Sequence, residues 1–127
     1  MPKVAIIRCE KNQDECPLTA GFAALKSRTA AFKGYDEDCD LGGVFTCHCP
    51  GDSAIDLAGI LKNKGVEVLH FCTCTFSAKT DGGWSMEKGG FCEGIDGIIE
   101  RVHTETGLPC VKGTAHLPRE YAIQKWG

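Results

Sequence analysis

The 127-residue chain is predicted to form a three-layer α/β sandwich, with a mainly parallel sheet of four or five strands in a flavodoxin-like or Rossmann-like arrangement. Three observations predict this fold class. Short β-branched runs without polar alternation are typical of strands that are covered on both faces. Segments with apolar residues at helical spacing separate those runs. The connections are short, so strand and helix alternate in the order that produces parallel strands and right-handed crossovers.

The first part of the chain contains a strand, a helix and a second strand. Residues 4–7 are consecutive apolar residues and predict the first strand. Residues 17–33 carry apolar side chains at helical spacing, and Pro17 fits the first turn of this helix while Gly34 can end it. Residues 41–46 predict the second strand. Together these segments form the first strand-helix-strand unit of the predicted sheet.

A second helix and a third strand follow directly. The pattern returns to helical spacing over residues 50–65, where Asp52 or Ser53 is available as the N-cap and Gly65 can end the helix. Residues 66–71 are rich in β-branched and apolar residues and predict the third strand. The same strand and helix order is therefore repeated.

The last part of the chain begins with a polar, glycine-rich segment at residues 75–90. It is longer than most connections in a compact domain, and we interpret it as a lid. Residues 93–106 predict a third helix, with Gly107 at the position of a left-handed C-cap. Residues 109–113 predict a fourth strand, and the tail to Gly127 predicts a short helix or an edge strand.

Length and charge restrict the classes of function. A chain of this length fits one domain over residues 1–127 and leaves little room for a second core. The 14 Lys and Arg residues against 17 Asp and Glu give a net charge of −3, without a basic cluster, so nucleic acid and membrane surfaces are not expected partners. The sequence has no secretory signal pattern, and we expect a cytoplasmic protein.

The nine cysteines are the most unusual feature of the composition. In a reducing compartment we expect thiols at this density to be metal ligands or redox groups. Ligands of an open parallel sheet bind beyond the carboxyl ends of its strands. The residues that follow the predicted strands are Cys9, Cys47, Cys49, Cys72, Cys74 and His116.

Three cysteines also lie at the predicted starts of helices. Cys16 and Cys49 each precede a proline, and Cys92 lies directly before the third predicted helix. The positive end of a helix dipole lowers the pKa of a nearby thiol. We therefore expect these three sulfurs to be thiolates.

The predicted ligand set is almost entirely sulfur. Its members are Cys9, Cys16, Cys47, His48, Cys49, Cys72, Cys74, Cys92 and His116. Soft thiolate sites select iron–sulfur clusters, zinc or Cu(I). The cysteines exceed the four that one tetrahedral ion requires, so an iron–sulfur cluster is the expected cofactor and zinc is the alternative. Neither a zinc-ribbon spacing nor a ferredoxin cysteine run identifies the metal.

The remaining cysteines and histidines are predicted to be structural. Cys39 lies at the opposite end of the sheet, and Cys110 lies within a strand, where free cysteine is often a small buried apolar residue. His70 is expected to pack within a strand, and His103 to lie on the surface in the last turn of a helix. His48 is interpreted either as a ligand or as a hydrogen-bonding neighbour of one.

Several of these segments resemble the CGGC-domain family. The similarity is carried by Cys9 after the first strand, Cys16-Pro17, Cys49-Pro50-Gly51, Cys72 and Cys92. Members of this family are small proteins rich in cysteine and histidine, named for a central Cys-Gly-Gly-Cys motif and proposed to bind metal, with zinc suggested. In this chain Cys47-His48-Cys49 stands in place of the motif. The resemblance implies metal binding and supplies no established reaction.

Three functions stay open at this point. The leading hypothesis is a metal-binding protein that holds an iron–sulfur cluster for electron transfer or for metal or cluster handling, with a redox protein as partner. An alternative is a thiol or persulfide redox enzyme in which Cys47 or Cys49 attacks the substrate. A third is a structural or interaction module that a metal ion stabilises.

Overall fold

A computed structural model describes residues 1–127 and shows a mixed α/β domain. Its strands are β1 (Lys3–Cys9), β2 (Asp40–Cys47), β3 (Val68–Phe71), β4 (Ala78–Thr80), β5 (Gly83–Ser85), β6 (Cys110–Lys112) and β7 (Gln124–Trp126). Its helices are α1 (Thr19–Ser27), α2 (Asp52–Asn63) and α3 (Ile95–Thr106). None of these helices has the length and the apolarity that crossing a membrane requires.

The main sheet has five strands in the order β2-β1-β3-β6-β7. The first four are parallel, and β7 pairs with β6 in the antiparallel direction. The predicted mainly parallel sheet is confirmed, and its parallel part has the predicted flavodoxin-like order. The tail of the chain forms an edge strand, which is one of the two structures that its sequence predicted.

The alternation of buried side chains along β1 produces the three layers. Val4 and Ile6 pack on the face of the sheet that α1 covers, whereas Ala5 and Ile7 pack on the face that α2 and α3 cover. All four side chains are essentially inaccessible to solvent. Because successive residues of a strand point to opposite faces, a run of consecutive apolar residues suits a strand buried on both sides.

The first helix is shorter than the predicted 17–33, because the backbone leaves the helical region at Arg28. Arg28 and Ala30 have φ values of 56° and 51°, in the left-handed region, and α1 ends at Ser27. A separate 3₁₀ turn then carries Phe32 into the core, where its ring stacks on His70 with 4.2 Å between centroids. In the sequence, the apolar residues of α1 and of the 3₁₀ turn therefore have the spacing of one continuous helix.

The predicted N-cap of the second helix is also wrong. α2 begins after Gly51, which has a φ of 101°, and no side chain caps it. A Cβ atom at Gly51 would lie 2.9 Å from Ile98 of α3, so this position requires a residue without a side chain. The hydroxyl of Ser53 is buried without a hydrogen-bond partner.

The segment predicted as a lid, residues 75–90, contains regular structure. After a 3₁₀ turn, β4 and β5 form a small antiparallel hairpin. The hairpin carries Trp84, whose indole stacks on the ring of His116 with 5.1 Å between centroids. The segment therefore lies against His116, in the loop that follows β6.

Candidate metal centre

The carboxyl ends of β1, β2 and β3 bring cysteines to one edge of the sheet, which we call the rim. Cys9 and Cys47 are the last residues of β1 and β2 and lie opposite each other in the register. Cys72 follows β3 directly, and Cys74 lies in the 3₁₀ turn after it. Neighbouring parallel strands end at the same edge, so the order β2-β1-β3 places these thiols side by side.

The sheet divides the rim thiols between its two faces. On the face covered by α2 and α3, Cys47 belongs to the core and Cys92 packs against it. On the α1 face, Cys72 and Cys74 belong to the other core cluster, and Cys16 packs against that cluster. The predicted ligands therefore lie on one rim and divide between its two faces, and the charge of Cys74 still acts on Cys9 across this division.

We call Cys9, Cys47, Cys49 and Cys92 the four-thiol group. These sulfurs are close enough for their charges to interact: negative charge on the other three raises the pKa of Cys47, and charge on Cys9 and Cys49 raises the pKa of Cys92. Cys9 and Cys47 are buried, Cys92 is half-buried, and Cys49 is exposed. The group thus runs from the core to the surface.

A close backbone crossing holds Cys92 in this group. The N–H of Phe91 donates to the carbonyl of Cys74 at 2.9 Å, and the N–H of Cys92 donates to the carbonyl of Thr75 at 3.0 Å. Gly90 makes the crossing possible, because a Cβ atom there would lie 2.3 Å from the carbonyl oxygen of Cys74. The end of the 75–90 segment is therefore fixed against the turn that follows β3.

Burial governs the protonation of three members of the four-thiol group. It raises the pKa of Cys9 and Cys92, and it raises the pKa of Cys47 to about 11. The prediction of a thiolate at Cys92 is wrong, because α3 begins three residues later, at Ile95, and burial outweighs the hydrogen bond donated by the Gly94 N–H. Cys16 and Cys49 likewise lie three residues before the first residue of α1 and α2.

We call Cys16, Cys72 and Cys74 the inner thiol group. They line a cavity of about 390 Å³ on the α1 face, together with Trp84 and His116. The thiol of Cys72 donates a hydrogen bond to the sulfur of Cys74, which lowers the pKa of Cys74 to about 7 and raises that of Cys72 well above its ordinary value. This group lies on the opposite face from Cys47 and Cys92.

The comparison with protein families supplies the identification. The family model of the CGGC domain matches residues 3–115, which is nearly the whole chain. The chain belongs to the CGGC-domain family. A search of the curated proteins and a search of the solved structures each gave no match. Membership of the family indicates a metal-binding role and does not distinguish zinc from an iron–sulfur cluster.

The donor set of this CGGC domain fits a soft metal in its chemistry. Four thiols from both the strand ends and the helix approaches lie within electrostatic reach of one another, and thiolates are the ligands of zinc and of iron–sulfur clusters. In their present orientations no three or more Cys, His, Asp or Glu side chains converge on one metal position. Coordination therefore requires side chains of the four-thiol group to rotate.

His48, which stands within the Cys-His-Cys sequence of this CGGC domain, is oriented by a carboxylate. Its Nδ1–H donates to Oε2 of Glu10 at 2.6 Å, and the backbone N–H of Cys49 donates to Oε1 at 3.2 Å. Both hydrogen bonds lower the pKa of the Glu10 carboxyl, and the bond from His48 has the larger effect. A carboxylate that holds Nδ1–H leaves Nε2 with its lone pair, which is the arrangement of many metal-bound histidines.

His116 lies at the cavity that the inner thiol group lines. Its φ of 54° places its backbone in the left-handed region, and its ring stacks on Trp84 at the wall of this cavity. It is therefore near the inner thiol group.

The residues predicted to be structural are not members of the four-thiol group. Cys110 is fully buried, and its thiol donates to the carbonyl of Leu108. His70 is buried as predicted and bonded on both ring nitrogens. His103 is half-buried rather than at the surface, and its Nδ1–H donates to the same Leu108 carbonyl at 2.8 Å. Cys39 lies before β2, at the opposite end of the sheet from the rim.

Sequence reasoning missed the polar residues of the loop after β1. Glu10 orients His48, the charge of Lys11 partly opposes the burial that raises the pKa of Cys9 and Cys92, and Asn12 donates to the sulfur of Cys74. All three directly follow Cys9, at the carboxyl end of a buried strand, which is the position where functional residues of such sheets are expected.

Proposed function

We propose that this CGGC-domain protein binds a metal centre through Cys9, Cys47, Cys49 and Cys92. The observation that carries the proposal is the mutual proximity of these four thiols, which the chain brings from widely separated positions. Cys9 and Cys47 are shielded from solvent and Cys92 is half-buried, which suits a retained metal, and Cys49 lies at the surface, where metal or electrons can enter. All nine cysteines are free thiols, as metal binding requires.

We further propose that the centre is an iron–sulfur cluster and that the protein serves electron transfer or metal or cluster handling in the cytoplasm. Four cysteine thiolates are the usual ligand set of such clusters. Burial keeps the pKa of Cys47 at about 11, and coordination to metal replaces that proton, so binding releases protons to the solvent. A redox protein is the expected partner, and it would approach the rim at the exposed Cys49.

Zinc is the second candidate, and the Glu10–His48 pair favours it. One tetrahedral ion needs only four ligands, and imidazole together with thiolates is a common zinc set. His48 carries an oriented ring next to Cys49 and is exposed, so its Nε2 can replace one sulfur as a ligand. His116 and the inner thiol group are not needed for either centre.

The thiol-enzyme alternative loses support at one of its two predicted nucleophiles. Cys47 is buried, and its pKa of about 11 leaves little thiolate at neutral pH. Cys49 is exposed and remains available for attack. Turnover by metal-free protein that Cys49→Ser abolishes would establish this alternative.

Metal analysis of protein purified without oxygen tests the proposed function. We expect iron and sulfide in comparable amounts with broad visible absorption; zinc alone in a colourless protein would establish the second candidate. Cys47→Ser should remove most of the bound metal, whereas the control Cys39→Ser, at the opposite end of the sheet, should retain it. Protein that binds no metal when reduced and supplied with iron and sulfide, or with zinc, would refute the proposal.

A further inference from the structure

A second sulfur site lies on the α1 face, next to Cys9 but built from none of the four proposed metal ligands. The cavity of about 390 Å³ there is lined by all three members of the inner thiol group. Cys72 and Cys74 are buried from the bulk solvent, yet both contribute to the wall of this cavity. A small molecule that enters the cavity can therefore contact the sulfurs of Cys72 and Cys74, which are otherwise shielded from solvent.

The two cysteines are neighbours at the wall of this cavity. The thiol of Cys72 donates to Cys74, and the sulfur of Cys74 also accepts from the side-chain amide of Asn12 and from the backbone N–H of Cys9. No disulfide joins them. Cys72 and Cys74 are two residues apart at one 3₁₀ turn, so rotation of their side chains can bring the sulfurs together when an oxidant is present.

The other lining residues indicate the chemistry of a ligand. Glu15 and Lys79 carry opposite charges at the wall, and Asn12 and Thr114 offer hydrogen-bonding groups. The indole of Trp84 supplies a flat apolar surface backed by His116. A small zwitterion with an apolar middle matches this combination.

We propose that Cys72 and Cys74 form a dithiol–disulfide couple that exchanges with a small zwitterionic disulfide of cystine type in this cavity. This activity goes beyond the metal centre and uses none of its four proposed ligands. The sulfur of Cys74 attacks one sulfur of the bound disulfide, whose S–S bond breaks and releases one thiol. The sulfur of Cys72 then attacks the sulfur of Cys74, which breaks the mixed disulfide and releases the second thiol.

The exchange balances without a further reactant. The two cysteines lose two electrons and two protons, and the two sulfurs of the substrate gain them. The reverse reaction with two molecules of the small thiol reduces the couple again, because thiol–disulfide exchange is reversible. The ratio of small disulfide to small thiol therefore sets the state of the pair.

Oxidation by L-cystine tests the proposal on protein purified without oxygen, with the metal content measured in the same sample. After an acid quench, blocking of free thiols and digestion with trypsin, residues 65–79 form one peptide that contains only Cys72 and Cys74. We expect this peptide to be two hydrogens lighter, and two cysteine molecules to be released per protein. Cys72→Ser should trap half a cystine on Cys74, and Cys74→Ser should prevent oxidation at this peptide.

The control variant Cys39→Ser should react like the parent. A peptide that stays reduced while Cys49 is modified, or identical behaviour of Cys72→Ser and the parent, would overturn the inference. Metal content separates the two proposals: an unreactive pair in metal-loaded protein refutes only this one, and a reactive pair in protein unable to bind metal refutes only the proposed function.

Substitutions that leave every thiol in place keep the test valid if the serine variants fail to fold. Lys79→Gln and Glu15→Gln should each raise the cystine concentration needed for half-oxidation by about threefold, as expected for a partly exposed charge contact. The uncharged bis(2-hydroxyethyl) disulfide should oxidise these variants and the parent equally. Equal sensitivity to cystine in parent and variants would contradict the proposed ligand class.

Discussion

Burial makes the nine thiols of this protein chemically unequal. Cys49 is exposed, whereas Cys110 is fully buried, and burial raises the pKa of Cys110 to about 12. At pH 8 only about one Cys110 thiol in ten thousand is then ionised, and the thiolate is the form that reacts. In metal-free protein we expect a short pulse of iodoacetamide to modify Cys49 and to spare Cys110.

Mass spectrometry of the pulse-labelled protein measures this difference. Protein unfolded in guanidinium provides the control, because both cysteines should then react at similar rates. Modification of Cys110 in native protein at the rate of Cys49 would contradict the assigned burial.

His70 makes stability depend on pH in the acid range. Its Nδ1–H donates to the carbonyl of Gly113 at 3.1 Å, and its Nε2 accepts from the hydroxyl of Tyr35 at 2.7 Å. Burial, with a smaller effect of Lys125, lowers its pKa to about 4, against an ordinary value of 6.5. The unfolded chain therefore binds the proton first as the pH falls, which favours unfolding.

We expect the free energy of unfolding to fall by about 3 kcal/mol between pH 6.5 and pH 4 because of this histidine. Urea unfolding at a series of pH values measures the change. In His70→Gln, which keeps a donor and an acceptor, the fall in the free energy of unfolding over this window should become smaller by that amount. His103→Gln removes a histidine from α3 instead and is the matched control; an unchanged slope in His70→Gln would disprove the assignment.

At the scale of elements, the position of Cys92 depends on a single crossing of two loops. Gly90 lies against the backbone of residues 74–77, and a methyl group there would overlap the carbonyl of Cys74 and the N–H of Phe76. Gly90→Ala should therefore destabilise the fold by about 1–3 kcal/mol, the usual cost of overpacking. It should also weaken metal binding, because Cys92 is displaced with the loop.

Thermal unfolding and metal content together test this prediction. Gly82→Ala is the matched control, because a Cβ atom at Gly82 meets nothing within 4 Å. If Gly90→Ala binds metal as tightly as the parent, the crossing does not position a ligand.

At the scale of the whole molecule, the proposed metal would join segments that are distant in the chain. Cys9 and Cys47 end β1 and β2, Cys49 precedes α2, and Cys92 precedes α3. A metal that binds only the folded state stabilises it by about 2.7 kcal/mol at a free concentration one hundred times its Kd. We expect a chelator to lower Tm in the parent and to leave Tm unchanged in a Cys9→Ser, Cys47→Ser double variant.

Calorimetry with and without the chelator measures these shifts. A double variant of Cys39 and Cys110, each changed to Ser, controls for the loss of two thiols and should keep its response to the chelator. An equal effect of the chelator on the parent and on the Cys9, Cys47 variant would place the metal elsewhere.

The elements of the fold were largely predictable because their signals are local. The apolar run of β1 and the left-handed Gly107 that ends α3 were both predicted, and both are present. The prediction of the first helix failed at Arg28, because the left-handed backbone there has no glycine to mark it. The prediction of thiolates at helix starts failed at Cys92, because burial depends on neighbours that the local sequence does not identify.

By itself the sequence determined the order of strands and helices, and with it the presence of cysteines at one edge of the sheet. Only the tertiary structure decided that the sheet separates Cys47 and Cys92 from Cys72 and Cys74, and that Glu10 holds His48. The physical reason is that periodicity and turn residues act over a few positions of the chain. The face on which a sulfur lies and the groups that surround it depend instead on how distant segments pack together.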